Sequence, residues 1–585
     1  MRDRWITDWV PSARWPHYTR ANSGEVAPTP ASPLSVTYTW DNGICQGWRD
    51  GYVGTGCFSI DEFDRDHPEA CGFFGGYMYI NLSNVRMQGV RNPAVTVEQL
   101  DLAFFGDHPD VPPYVAMEGD DRPDLVPKIM SHLEWQMTSR TWPRIDQERE
   151  QTIALRAGRP DLRSLTDAQL LARAREVQQM IVKLFDSHTL SSSGSGIAPS
   201  ILFAVGQAIG DPTVPMKLVA GLGEVDSAEP SLRMWQISRL IRSSEILTRH
   251  FDAGVEGLRR RLEADGSEDA RRFLEEWDGF IGDFGARAAN EYEISAETWE
   301  TRPELALATL ERVRFQSDDE SPDLRLQKRV AEREQTTAEV RARLRDLGNE
   351  DLIGQFEAAL VASSQLAFRE RTKTNLIRAV HEARMVFREL GRRHAEAGHL
   401  ESASHVFQLL DSELEAFAAD PAKFKDELAG REAEWKELFE LEPPFIIRDG
   451  RVPPLGDWPR RGSATTRVLG PGESVQAVAG CPGKVTGRAR VIMEVGDPGE
   501  LEPGEILVAP VTDPGWASLF MAAAGVVVEV GGQISHAIIV SRELGLPCVV
   551  SATGACRAIP NGAVVEVDGD NGTVTVVSVP SPAAG

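Results

Sequence analysis

Residues 531–547 read Gly531-Gly532-Gln533-Ile534-Ser535-His536-Ala537-Ile538-Ile539-Val540-Ser541-Arg542-Glu543-Leu544-Gly545-Leu546-Pro547. The run sets one histidine where a glycine turn leaves a strand and enters a helix. Residues 524–530 before it are apolar and valine-rich, as in a buried strand. Gly531 and Gly532 permit a tight turn. Ser535 is a good N-cap, and Gly545 followed by Pro547 is a good stop. His536 is therefore expected in the first turn of a short helix. The free N–H groups and the positive dipole end there favour a bound anion. With an unperturbed pKa of ~6.5, the imidazole offers a neutral, nucleophilic nitrogen at cellular pH. It can leave again when an acceptor attacks, so one hard transfer becomes two easier ones.

The surroundings extend the pattern. Upstream lies Val508-Ala509-Pro510-Val511-Thr512-Asp513-Pro514-Gly515-Trp516. Downstream, Pro547-Cys548-Val549-Val550 reads as another strand, and residues 565–574 as a hairpin with an Asn571-Gly572 turn. Gly480-Cys481-Pro482-Gly483-Lys484 opens the unit. Thr512, Ser535, Gly532 and Arg542 are the expected phosphate neighbours of His536. Each also has a plain structural reading: loop hydroxyl, cap, turn and solvated helix face.

In this order the segment resembles the mobile phosphohistidine domain of the phosphoenolpyruvate-utilising enzymes. The Thr-Asp-Pro-Gly-Trp run with Gly-Gly-x-x-Ser-His is most similar to the rifampicin-phosphotransferase branch. The resemblance implies a swivelling domain whose histidine is phosphorylated at one site and dephosphorylated at another. Less complete likenesses to the same branch occur at residues 20–35, 106–114, 221–231 and 290–295.

The rest of the chain bounds the reading. Its 585 residues allow two to four domains. A net charge of −26 makes it a poor nucleic-acid binder. No apolar run is long enough for a membrane span, and the N-terminus has no signal-type apolar core. Six cysteines without a Cys-x-x-Cys pair argue against a disulfide scaffold or a zinc site, and no metal ligands are expected. A cytoplasmic location is expected.

The expected fold is α+β and multidomain. Residues 1–120 are a mixed loop- and strand-rich part of an acceptor domain, and 121–442 its helical part. Residues 443–470 are a Pro-rich linker, and 471–580 the α/β phosphohistidine swivelling domain. Leu376, Val380, Ala383, Phe387 and Leu390 form one buried helical stripe. Arg378, Arg384, Arg388, Arg392 and Arg393 lie mostly off it, and a solvated face is the plainer reading. Trp40, Phe73, Phe74, Tyr77 and Tyr79 are either core or the wall of an aromatic pocket. His17, His132 and His188 are candidate bases by residue type alone. No substrate-binding residue is assigned.

Neither Gly194-Ser195-Gly196 nor Gly480-Cys481-Pro482-Gly483-Lys484 has Walker spacing. An ATP-grasp domain, which the resemblance would require to charge the histidine, is not seen. The expectation is a split, dikinase-type phosphotransferase. ATP and Mg²⁺ sit on a separate ATP-grasp subunit, and this chain itself binds no cofactor. Phenylphosphate and alkylphenol-phosphate synthases are organised in this way, so the expected acceptor is a phenol. An antibiotic or other secondary metabolite is the alternative acceptor, and a non-enzymatic phosphocarrier the alternative role.

Overall fold

In the computed structural model the strands expected around His536 form one eight-stranded sheet. The model describes residues 3–65, 67–105, 111–211, 214–222, 226, 229–318, 321–462, 467–493, 501–512, 516–532 and 535–580. Parts of several segments singled out above, at 106–110, 223–225, 227–228, 463–466, 513–515 and 533–534, lie outside the described residues. The strands of this sheet are β5 (Ser474–Gln476), β6 (Val478–Cys481), β7 (Lys484–Val491), β8 (Ile506–Ala509), β9 (Gly525–Val528), β10 (Cys548–Val550), β11 (Val564–Asp568) and β12 (Thr573–Ser578). Their order is β5-β12-β11-β7-β8-β9-β10-β6. The central four, β7 to β10, are parallel, and the outer pairs are antiparallel.

The valine-rich runs serve this arrangement because a parallel sheet is covered on both faces. Side chains alternate across it. Leu507, Val526, Val528 and Val550 face one apolar cluster with Phe520, Ile538 and Leu544. Ile506, Val508, Val527 and Val549 face the other with Val565, Val567, Val574 and Val576. Helices Ala517–Ala522 and His536–Leu544 make the crossovers from β8 to β9 and from β9 to β10.

The chain divides into two units. One comprises Met1–Ser195, Tyr292–Ala296 and Ser364–Thr465; the other comprises Gly196–Glu291, Glu297–Ser363 and Thr466–Gly585. The expected boundaries differ from this in two ways. First, helices from the middle of the expected acceptor domain, such as Glu229–Arg242, Glu304–Val313 and Pro322–Leu347, belong with the histidine sheet. Trp235 and Val313 from these helices complete the apolar cluster on the His536–Leu544 face of the sheet. Gln316 Nε2 donates to the Met521 carbonyl at 2.5 Å.

Second, most of the expected linker is built into the first unit. That unit has a four-stranded sheet of β1 (Tyr18–Thr19), β2 (Cys71–Phe74), β3 (Tyr77–Asn81) and β4 (Ile446–Ile447), in the order β2-β3-β1-β4. Strand β4 pairs with β1, setting Tyr18 opposite Ile447 and Thr19 opposite Ile446. Two apolar residues between prolines suffice to occupy the open edge of β1. Tyr79 Oη donates to the Pro444 carbonyl at 2.9 Å, and Trp458 is buried. Prolines set the path of residues 443–462, but pairing and burial hold it in place.

The helical core of the first unit is Asp167–Gly194 against Ser364–Glu396. Thr166 and Gln169 form a reciprocal capping box at the start of the former. The expected stripe on the latter is fully buried. The expected solvated arginine face is overturned at two positions. Arg378 and Arg384 are buried, because this helix is surrounded on nearly all sides. Arg384 donates from Nη2 to the Glu293 carbonyl at 3.0 Å and from Nη1 to His381 Nδ1 at 3.1 Å. Arg392 and Arg393 pair with Glu389 and are half-buried.

Two segments noted for their family likeness meet here. Ser32 donates from Oγ to Glu293 Oε1 at 2.7 Å and from its backbone N–H to Oε2 at 3.0 Å. Ser35 Oγ accepts the Ile294 N–H at 2.9 Å.

Helix Cys45–Thr55 lies against Asp167–Gly194 at a distance only glycine permits. A Cβ on Gly47 would stand 2.2 Å from the Val182 carbonyl oxygen. Gly47→Ala would gain ~1 kcal/mol of helix propensity. It would force the two helices apart at a cost of about 1–3 kcal/mol. The expected net result is a lower urea midpoint; an unchanged or raised midpoint would contradict the close approach.

Candidate active site

The candidate site lies at the carboxyl ends of parallel strands β8, β9 and β10, where α/β sheets commonly bind ligands. Thr512 follows β8, His536 follows β9 and Ser551 follows β10. Pairing runs on beyond β8 and β9: Glu529 N–H donates to Ala509 O at 3.0 Å, and Val530 N–H to Pro510 O at 3.0 Å. The turn after β9 is closely packed at Gly531. A Cβ there would meet Ser535 Oγ and Val550 Cβ, each at 3.1 Å. Ser551, at φ 54°, donates from Oγ to the Gly531 carbonyl at 2.6 Å and pins the turn. Gly532 O accepts the Ser535 N–H at 3.0 Å.

His536 is the first residue of the helix His536–Leu544. Its Nδ1 lies 3.4 Å from Thr512 Oγ1. The Phe520 ring stands perpendicular to it, at a centroid distance of 5.8 Å and an interplanar angle of 86°. With Thr512 accepting from Nδ1–H, the lone pair resides on Nε2, the nucleophilic nitrogen. Nε2 is shielded from solvent in this arrangement. A donor therefore reaches it only when it is uncovered.

Ser535 occupies the expected N-cap position in the extended region, at φ −70° and ψ 158°. Its hydroxyl does not cap the helix. Instead Ser535 Oγ is buried and hydrogen-bonds to none of the described atoms. Buried hydroxyls normally have partners. A phosphate on the adjacent histidine would supply an acceptor. Arg542 is elsewhere. Six residues along the helix, it lies about 9 Å further down the axis and roughly 120° around it. It is buried, so the expected solvated face is wrong as well. Its charge falls on Cys481, whose thiol burial pushes up to about 11 against the pull of Arg329 and Arg542. The helix stops at Gly545, φ 70°, as expected.

Ser551 and Phe520 were not singled out in the sequence. Ser551 carries no local signal beyond following a strand, and Phe520 looks like any apolar helix residue.

Thr512→Val removes the hydroxyl placed 3.4 Å from His536 Nδ1 and with it that hydroxyl's support for the tautomer with its lone pair on Nε2. At about 1 kcal/mol per such bond, phosphorylation of His536 is expected to slow roughly 5-fold. Rapid-quench counting of acid-labile phosphate would measure this; a variant as fast as the parent would remove Thr512 from the site.

The three histidines suggested as bases are structural. His17 Nδ1 accepts the Asp449 N–H at 3.2 Å, and burial holds its pKa down although Asp449 opposes this. Burial brings His132 to about 4, and Gln136 Nε2 donates to its Nε2 at 2.9 Å. His188 is half-buried beside Arg369 and Lys373, and desolvation and those charges both disfavour its charged form. Trp40, Phe73, Phe74, Tyr77 and Tyr79 are each at most 1% exposed and are core. Among the described residues no group of three or more His, Cys, Asp or Glu side chains is placed to hold a metal ion. No described helix is long and apolar enough to cross a membrane.

The parallel sheet thus sets a histidine at a helix start, with the Thr512 and Ser535 hydroxyls beside it at the carboxyl ends of its strands. Residues 501–572 match the family model of the PEP-utilising enzyme mobile domain, and residues 188–370 that of the rifampicin phosphotransferase fourth domain. Over these two segments the chain is similar to the PEP-utilising enzymes, on their rifampicin-phosphotransferase-like side. The second match coincides closely with the helices that group with the histidine sheet.

An uncharacterised protein of Mycobacterium tuberculosis is 43% identical over 38% of this chain and 25% of its own length. A prodigiosin synthesizing transferase of Serratia marcescens is 30% identical over 53% of this chain and 34% of its own. A rifampicin phosphotransferase of Streptomyces sviceus is 27% identical over 60% of this chain and 40% of its own. The chain thus spans less than half the length of these curated relatives.

Proposed function

We propose that this chain is the acceptor-binding and phosphohistidine part of a cytoplasmic phosphotransferase. The observation that carries the reading is His536 at a helix N-terminus, beside Thr512 and the buried Ser535 hydroxyl. In the first step His536 Nε2 attacks the phosphorus of the donor; the P–N bond forms and the donor's P–O bond breaks. The ring is then neutralised by loss of its Nδ1 proton, which Thr512 Oγ1 is placed to accept on the way to solvent. The N–H groups of the first helical turn and the Ser535 hydroxyl hold the phosphoryl oxygens. In the second step an acceptor oxygen attacks, the P–N bond breaks, its electron pair returns to the imidazole, and the hydroxyl proton passes to a base.

The donor side is an ATP-grasp partner subunit using ATP and Mg²⁺ in a dikinase-type reaction, and the acceptor is a small phenol. The likeness to a rifampicin phosphotransferase and a prodigiosin synthesizing transferase favours an antibiotic or other secondary metabolite as the second choice.

The test uses the whole chain with the candidate partner, labelled ATP and a panel of phenols, and in parallel with phosphoramidate as a small-molecule donor. Acid-labile label on His536 that then moves to a hydroxyl compound is the expected result. Failure of both donors to label His536 would sink the proposal.

A further inference from the structure

The first unit contains a histidine of a different kind from His17, His132 and His188. His67 lines a cavity of about 590 Å³ together with Asp41, Asn42, Gln46, Arg49 and Arg65. Its side chain is 57% exposed, whereas that of Asp41 beside it is 14% exposed. His67 Nδ1 lies 3.2 Å from Asp41 Oδ1. A carboxylate only accepts, so the proton sits on Nδ1 and the basic lone pair on Nε2. The Trp9 ring packs at 5.0 Å and 49° on the imidazole and fixes its plane.

The backbone that presents this cluster is unusual. Ser35–Ile44 is a π-helix ten residues long, in which Cys45 N–H reaches back to Trp40 O. Such turns are rare, mostly single, and concentrated at functional sites. This one runs directly into the helix Cys45–Thr55. Its wider turns set Asp41 and Asn42 beside Gln46 and Arg49 on one polar rim. Asn42 is anchored by its donation to Asp411 Oδ2 at 2.7 Å, and Arg49 by Gln46 Oε1 at 3.0 Å and Asp50 Oδ1 at 2.8 Å. Among the described residues the lining contains two guanidiniums, two amides, one carboxylate and one imidazole.

We propose that this cavity is the acceptor site, with His67 as the general base for the acceptor hydroxyl and Asp41 as its positioning residue. The proposal rests on the phosphohistidine reading above and deepens it. The proton of the hydroxyl passes to His67 Nε2 as its oxygen attacks the phosphorus carried by His536. The P–N bond breaks toward His536, and His67 then releases its proton to solvent. Arg49 and Arg65 supply positive charge for an anionic group on the acceptor. The acceptor class is therefore a hydroxyl compound bearing a carboxylate or comparable anion, in place of a bare phenol.

The full-length chain, charged on His536 by phosphoramidate, is mixed with 4-hydroxybenzoate or with phenol, and loss of phosphohistidine is followed. 4-Hydroxybenzoate is expected to discharge it faster than phenol. His67→Gln is expected to slow discharge about 100-fold while leaving the charging rate unchanged. Asp41→Asn is expected to lower kcat for transfer without raising KM, with partial recovery in Asp41→Glu. In parallel, binding of 4-hydroxybenzoate to the uncharged protein is measured calorimetrically and is expected to be lost in the double variant Arg49→Met, Arg65→Met.

Discharge of His67→Gln at the parent rate, or no binding of 4-hydroxybenzoate to the parent protein, overturns the proposal. Binding that depends on the two arginines in a chain that never charges would instead overturn the relay and leave the site standing.

Discussion

With asparagine in place of His536, phosphoryl transfer to any hydroxyl acceptor is expected to fall to background, a loss of about 10³-fold or more. The helix start would survive, because asparagine is tolerated in a first turn and Ser535 keeps its extended conformation at the cap position. The anion-binding N–H groups would survive with it. What disappears is the imidazole nitrogen at the carboxyl ends of these strands. The hydroxyls of Thr512 and Ser535 do not replace it, since an alcohol is a weak nucleophile at neutral pH without an adjacent base. The measurement is acid-labile, base-stable phosphate on the protein, with the circular dichroism spectrum as the check that the fold is intact. Label retained in His536→Asn would place the carrier elsewhere and dissolve the relay.

The largest effect on stability is expected at Glu62. Its carboxylate binds Arg91 through two hydrogen bonds, Nη2 to Oε1 at 2.8 Å and Nη1 to Oε2 at 3.0 Å. The Arg91 side chain is 0% and the Glu62 side chain 3% exposed, so neither charge is served by water. Arg14 adds a third contact at 2.9 Å, and Ser59 N–H donates to Oε2 at 2.9 Å. Glu62→Gln keeps the shape and leaves a buried guanidinium without its counter-charge. Such losses run at about 3–5 kcal/mol. The lower end is expected here, because Arg91 also donates to the carbonyls of Cys57 and Asp120, both at 2.8 Å.

The same pair gives a pH dependence of definite sign. Burial by itself would raise the Glu62 pKa. The Arg91 hydrogen bonds, the Ser59 N–H and the charges of Arg91 and Arg14 outweigh it and hold the carboxyl below its ordinary 4.5. A depressed carboxyl contributes its stability above the unfolded value and loses it as pH falls through the folded one. The parent urea midpoint is therefore expected to drop on acidification from just above pH 4.5 downward, and Glu62→Gln to show a shallower drop. Parallel curves for the two proteins would contradict this account.

Much of the histidine domain was legible because its determinants are local. Val526, Val527 and Val528 declare a strand buried on both faces, Gly531 a tight turn, and Gly545 a helix stop. Each of these depends on residues a few positions apart. Ser535 shows where local reasoning ends. Its cap conformation was readable, but the fact that its hydroxyl turns away from the helix was not.

Elsewhere the deciding interactions join residues hundreds of positions apart. Strand β4 was expected to be tether because its partner Tyr18 is at the other end of the unit. Ser32 and Glu293 lie in two segments far apart in the sequence, 20–35 and 290–295, and only folding shows that they bind each other. Arg378, Arg384 and Arg542 were placed on solvated faces because periodicity counts apolar residues and does not register how many neighbours surround a helix.

The sequence alone determined the class of the C-terminal domain and the place of His536 at its helix start, since both are written in contiguous turn, cap and alternation signals. Tertiary structure alone decided that the central helices join the histidine sheet, that the five aromatics are core, and that His67, paired with Asp41 of a π-helix, is an exposed histidine of the first unit. The reason is physical: burial and cross-chain pairing are properties of the packed chain, and no window of neighbouring residues contains them.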